Sequence, residues 1–304
     1  MKQFLLDQRR ALNNIYKQEA QGAMVRSPFQ SEADSCSTFF FNLEKQNSSA
    51  KTHHGMRLSD DTVTEDPSEI RQHVHSFYKD LYSHVPTSQT AQNYLLKNIP
   101  TLDPVDSETC DQPISMEELD QAVKQLNKNK TPGLDGLTSE FYLCFWPILK
   151  NDIFKVLQKS IQSQSLPTSC RRAVITLLPK QGDLHEISNW RPVSLLNTDY
   201  KILAKALANR LKNVIGDVIH LDQCYAVPER SIYDNINVIR DSIMFANHSD
   251  LPLAVCNLDQ KKAFDSIDHD YLFKTLRTMG FGEHFVSLIR LLYTDAQSSS
   301  QSSV

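Results

Sequence analysis

The 304-residue chain is 40% hydrophobic and 22% charged, which argues against global disorder and leaves room for about two domains. Its 8 glycines fall far below the usual share, so a helix-rich fold is favoured over an all-β sandwich or propeller built on many tight turns. The 32 Lys and Arg against 36 Asp and Glu give a formal charge of −4, which by itself points to no nucleic-acid partner.

Residues 1–110 read as an N-terminal extension and linker. Leu5, Leu12, Ile15 and Tyr16 predict an opening helix, and the proline-punctuated stretch from Pro86 to Pro113 predicts the linker. The apolar run Phe4–Leu6 is too short for a secretory leader, and no stretch of about 18 apolar residues occurs anywhere. The expectation is an intracellular protein of the nucleus or cytoplasm, neither secreted nor embedded in a membrane. The six cysteines form no C-x-x-C pair and lie at no metal-ligand spacing, so they are expected to be buried free thiols.

Local signals sharpen from Ile114. Ser115 and Glu118 have the spacing of a capping box, Ile114 and Leu119 that of a hydrophobic staple, and Leu119, Ala122, Val123 and Leu126 share one helical face. That helix ends in NKNK and the turn TPGLDG. An aromatic helical run follows, with Phe141, Tyr142, Phe145 and Trp146 expected in the core. Ala173–Leu178 and Arg191–Leu196 predict two strands of an antiparallel hairpin with basic residues near its tip. Helices are then expected over 199–219, after Ser231 through Ile232, Ile236, Ile239 and Ile243, and over 271–278 and 284–293. Between them, Leu253–Leu258 predicts a strand delivering Asp259 at its end. From Gln121 to Ile215 basic residues clearly outnumber acidic ones, and a local patch can hold a polyanion on an acidic protein because phosphate attraction is screened within about 10 Å. A solvated lysine-rich face explains the same block equally well.

A carboxylate at the end of a buried strand, with Phe264 just beyond, is one way to hold a metal beside a nucleotide pocket. An aspartate in that position is more often a turn or cap residue.

Four ordered strings carry a family resemblance: NKNKTPGLDGLTSEFY, ITLLPKQGDLHEISNWRPVSLLNTDYKILAKALANRL, DQCYAVPERSIYDNI and LDQKKAFDSIDHDYL. In this order they resemble the reverse transcriptases of LINE-type non-LTR retrotransposons, over about residues 20–295. The resemblance implies an α+β, helix-rich fold: the fingers of a right-hand polymerase over 111–250 and an incomplete palm over 251–304. It implies Lys180 and Arg191 as grips on the incoming triphosphate, Asp259 as catalytic metal ligand with the Gln260 carbonyl as a second ligand, and Phe264 as the aromatic that excludes a ribose 2′-OH. Lys128, Lys130 and Arg230 are implied on the template side. Mg²⁺, an RNA template, a DNA primer and deoxynucleoside triphosphates are the implied cofactor and partners; no oligomeric state is implied.

Two departures alter the pattern: Lys261 stands where such proteins commonly have an acidic residue, and Glu229 where they commonly have glycine. The later palm motifs, a Gly-x-x-Gln-Gly-like segment and an aromatic-x-Asp-Asp hairpin, would follow residue 295, where the chain reads DAQSSSQSSV. The one Asp-Asp pair, Asp60-Asp61, has polar neighbours and reads as a turn. Asp265 and Asp268 read as caps of the next helix. The expectation is therefore a fragment without polymerase activity alone, with Leu253–Leu258 an uncovered apolar edge and the last ~50 residues loosely packed. Alternatives are a non-catalytic RNA or primer-template binding module and a functionless transposon relic.

Overall fold

A computed structural model of the chain describes residues 55–260 and 262–300. The opening helix, Cys36 and Lys261 lie outside the described residues.

The description begins with a small antiparallel hairpin, β1 (Met56–Arg57) and β2 (Val63–Thr64). Asp60 and Asp61 form its turn: Asp60 accepts from the backbone and hydroxyl of Thr62, at 3.1 and 2.6 Å, and Asp61 takes φ +65. Helix α1 (Pro67–Leu81) follows. It starts where Asp66 accepts from the Glu69 N–H and Pro67 supplies a preset φ, and it buries Ile70, Val74 and Tyr78, four residues apart.

The stretch 86–113 is not a linker. It contains α2 (Gln89–Leu95) and α3 (Pro104–Asp111), and its prolines do not interrupt α3: Pro104 occupies the first helical position behind the Asp103 cap. Leu102 and Cys110 are buried, and the Leu102 N–H donates to Met279 O at 2.8 Å, tying this stretch into the main core. Helix α4 (Met116–Lys124) opens with the expected capping box, and Ile114 and Leu119 enter the same core. In α5 (Ser139–Ser163) Tyr142 and Trp146 are buried, with Trp146 Nε1 donating to Asp120, while Phe145 is exposed.

A short helix, α6 (Thr168–Arg171), leads into β3 (Arg172–Pro179), which pairs antiparallel with β4 (Trp190–Leu196), the hairpin expected from the apolar run Ala173–Leu178 and the stretch Arg191–Leu196. Helix α7 (Thr198–Val218) is the centre of the main core, burying Ile202, Leu203, Ala206, Leu207, Val214 and Val218. Helix α8 (Ile232–His248) has the expected Ser231 cap, completed by Asp234, but its apolar face is not core: Ile232, Ile236, Ile239 and Ile243 are all exposed.

The predicted strand Leu253–Leu258 does not form. Residues 251–260 have no regular backbone, and Leu253, Val255 and Leu258 are exposed, because no partner strand among the described residues reaches them. Loose packing does not extend to the rest of the last ~50 residues. Helices α9 (His269–Thr278) and α10 (Glu283–Tyr293) bury Phe273, Leu276, Phe285, Val286, Leu288 and Leu291 against α7 and its neighbours. Asp268 caps α9 by accepting from the Tyr271 N–H at 2.7 Å; Asp265 instead lies in the preceding turn. The serine run then forms β5 (Gln297–Ser300), parallel to β3, so the sheet order is β4-β3-β5.

The cysteines divide. Cys110 and Cys170 are buried, Cys144 and Cys256 are exposed, and every described cysteine is free. Burial pushes the Cys170 thiol up to about 12, helped by the neighbouring Asp199, which makes it inert at neutral pH.

Candidate functional site

The β3–β4 hairpin sorts its side chains by face. Leu178 pairs with Arg191 and Pro179 with Trp190, and the Lys180 N–H continues the ladder to Asn189 O at 2.7 Å. Opposed residues share a face and residues two apart repeat it. Lys180 and Arg191 therefore lie on one face with Leu178, and all three are exposed. The other face, Ile175, Leu177 and Trp190, is buried with Met56, Ile70, Val74 and Tyr78 in a second small core. The hairpin is thus held from behind and open in front, with two cations at its tip.

The loop between those cations is tightly tied. Gly182 takes φ +119, and a Cβ there would come within 2.9 Å of the Asn189 amide. Asn189 Nδ2 donates to Asp183 O at 2.8 Å, and Trp190 Nε1 donates to Leu184 O at 2.8 Å. Arg57, from β1, donates to Glu186 at 2.6 Å and to Asp183 at 3.3 Å. The Asp183 carboxyl is held below its usual range by the His185 backbone and ring, with Arg57 adding to the effect.

Lys128 and Lys130 are exposed in the turn after α4. Between them Asn129, at φ +56, donates its N–H to Glu140, which fixes the turn against the start of α5. The following TPGLDG loop is pressed onto the end of β4: a Cβ on Gly133 would lie 2.5 Å from the Asn197 backbone nitrogen, a close approach that needs glycine. Arg230 is differently placed. Its two terminal nitrogens donate to the carbonyls of Gly216, Ile219, His220 and Gln223, so its guanidinium serves to close the C-terminal end of α7.

Asp259 and Gln260 are exposed at the end of the irregular segment, and Phe264 is 81% exposed in the turn 262–266. Beside that turn lies a cleft of about 340 Å³ lined by Phe77, Asp80, Leu81, Ser188, Lys262 and Ser266, with the Lys262 ammonium 3.9 Å above the Phe77 ring. Ser188 belongs to the loop between Lys180 and Arg191, so the cleft connects that loop with the Phe264 turn.

Asp259 and the Gln260 carbonyl are hard oxygen donors of the kind Mg²⁺ prefers. Among the described residues, however, no three His, Cys, Asp or Glu side chains converge on one point. The described residues therefore fall short of a two-metal cage.

Sequence reasoning missed the Arg57 brace and the Lys262–Phe77 contact. Arg57 stands in a polar stretch with no periodicity to mark it, and its partners lie 126 and 129 positions away.

Residues 178–304 match the family model for "Reverse transcriptase (RNA-dependent DNA polymerase)". The chain is similar to the transposon TX1 uncharacterized 149 kDa protein of Xenopus laevis, 46% identical over 294 residues that cover 96% of this chain and 22% of that protein. It is also similar to the retrovirus-related Pol polyprotein from the type-1 retrotransposable element R2 of Popillia japonica, 28% identical over 56% of this chain and 23% of that one. The probable RNA-directed DNA polymerase from transposon BS of Drosophila melanogaster is 24% identical over 55% of this chain and 19% of that one. The chain spans about a fifth of the length of these relatives.

Proposed function

We propose, from the premise that this chain belongs through residues 178–304 to the reverse transcriptase family of non-LTR retrotransposons, that it holds the fingers and the first palm segment of an RNA-directed DNA polymerase. The fingers correspond to residues 111–250 and the palm segment begins at 251. In this reading Lys180 and Arg191 hold the triphosphate of an incoming deoxynucleotide, Phe264 discriminates against a 2′-OH, and Lys128 and Lys130 approach the template backbone. Arg230 acts on the template side only indirectly, by fixing the segment that follows α7.

The observation that carries the reading is the open face of the β3–β4 hairpin, where two exposed cations share one face above a buried support. Fixed cations there would favour the charge that develops on a leaving pyrophosphate. Divalent metal use is general to the family, and Asp259 and Gln260 are the residues that would first hold an ion.

The 304-residue chain alone is therefore expected to bind nucleotide and primer-template without extending the primer. The test is primer extension on an RNA template with Mg²⁺ or Mn²⁺, beside filter binding of the same primer-template across a salt series. The expected result is salt-sensitive binding with no extension. Template-dependent extension abolished by Asp259→Ala would overturn the inactivity, and binding indifferent to salt would overturn the basic template track.

A further inference from the structure

The β1–β2 hairpin lies outside the matched residues 178–304, yet it is fastened to the loop between the two cations. Its Arg57 N–H donates to His185 O at 2.8 Å, its Nε to Glu186 at 2.6 Å and its Nη2 to Asp183 at 3.3 Å. Met56, fully buried, packs in one cluster with Ile187 and Trp190 of the same loop and strand.

The charge balance of that loop makes the contact significant. From Gln181 to Asn189 the loop holds two carboxylates, Asp183 and Glu186, and no lysine or arginine. Left uncompensated, they would set two negative charges between Lys180 and Arg191 and offset much of the attraction for a polyanion. The side chain of Arg57 is one-third exposed and meets both carboxylates at once. His185, also in the loop, bonds to Asp183 through Nδ1 at 2.8 Å.

We propose that Arg57 is a positioning residue for triphosphate binding: its single positive charge, shared between Asp183 and Glu186, offsets half of their negative charge and holds the loop so that Lys180 and Arg191 face the anion with less competition. The inference rests on the reading of Lys180 and Arg191 given above. It extends the functional unit to a segment upstream of the matched domain.

The test is calorimetric titration of the full chain with inorganic tripolyphosphate at low salt. Lys180→Ala and Arg191→Ala report on the underlying reading, and Arg57→Gln on the inference. Loss of one cation that makes two exposed ion pairs predicts a weakening of about 3- to 10-fold for Arg57→Gln, and Arg57→Lys is expected to lie between it and the wild type. Adding Asp183→Asn and Glu186→Gln to Arg57→Gln takes the trio from a net charge of −2 to 0, against −1 in the wild type, and is expected to bring binding back to wild-type strength or above. A purely structural brace would not recover in this way. If Lys180→Ala weakens binding and Arg57→Gln does not, the inference is overturned and the reading stands. If Arg57→Gln weakens binding and the triple variant stays weak, charge compensation is overturned. If the wild type does not bind tripolyphosphate, or Lys180→Ala leaves binding unchanged, the reading falls and the inference falls with it.

Discussion

Replacing Arg210 with methionine is expected to cost about 4.5 to 6 kcal/mol, because one guanidinium holds three helices together. Arg210 projects from α7 and is 9% exposed. It donates to both Glu118 oxygens at the start of α4, the Nη2 bond measuring 2.7 Å, and to the carbonyls of Cys110, Gln112 and Pro113 at the end of α3. Methionine fills similar space but leaves the carboxylate without its partner. The Glu118 side chain is 28% exposed, so water screens part of that loss and the ion-pair contribution falls near the lower bound, about 3 kcal/mol. Three carbonyls losing a donor add roughly 0.5 to 1 kcal/mol each. The assay is urea denaturation at neutral pH. Acid adds a second readout. Burial alone would raise the Glu118 carboxyl, but Arg210 and the Ser115 N–H outweigh it and hold it below the usual range. A carboxyl depressed by folding contributes stability that is present above its unfolded value and lost as pH falls through its folded one. That acid-side loss is expected in the wild type and expected to shrink in Arg210→Met. A variant within about 1 kcal/mol of wild type, with unchanged acid sensitivity, would refute the reasoning.

Three further outcomes follow from the same geometry. A Cβ at Gly282 would lie 2.1 Å from the Asp111 carboxyl carbon, displacing the side chain that accepts from the Phe285 N–H at 2.8 Å, so Gly282→Ala is expected to cost about 1 to 2 kcal/mol by thermal melting. Glu229 occupies φ +64, where glycine carries no Cβ penalty; Glu229→Gly is expected to be neutral or stabilising by up to about 1 kcal/mol, and a clear loss in denaturant midpoint would show that the carboxylate itself is needed. Ile236 and Ile239 are 50% and 49% exposed on α8, so Ile236→Lys with Ile239→Lys is expected to change stability by less than about 1 kcal/mol while reducing aggregation measured by light scattering.

Elements with short-range signals were legible in the sequence. The Ser115–Glu118 capping box, the β-branched apolar run of β3, and the 3.6-residue periodicity of α7 each state their structure within one element. The pairing of β3 with β4 was legible too, since both strands lie within one continuous motif. Leu253–Leu258 shows the limit of such reasoning. Its residues favour a strand, but a strand needs a neighbour, and none among the described residues supplies one. The reverse error occurs over 86–113, where Pro104, read as linker punctuation, sits at a helix start and the burial of Leu102 and Cys110 comes from contacts made much later in the chain. Within the candidate site, Lys180 and Arg191 were legible as motif positions. Arg57 was not, because its role is visible only once the hairpin loop is folded beside it.

In the proposed function the open face of the β3–β4 hairpin receives the triphosphate of a deoxynucleotide. That role is tested most directly by photocrosslinking an azido-deoxynucleoside triphosphate to the full chain and mapping the labelled peptide by mass spectrometry. The expected label lies on the segment 178–191 or on the adjoining turn 262–266, is competed by unlabelled deoxynucleotide and is lost in Lys180→Ala with Arg191→Ala. Label that maps elsewhere, or that persists unchanged in that double variant, would contradict it.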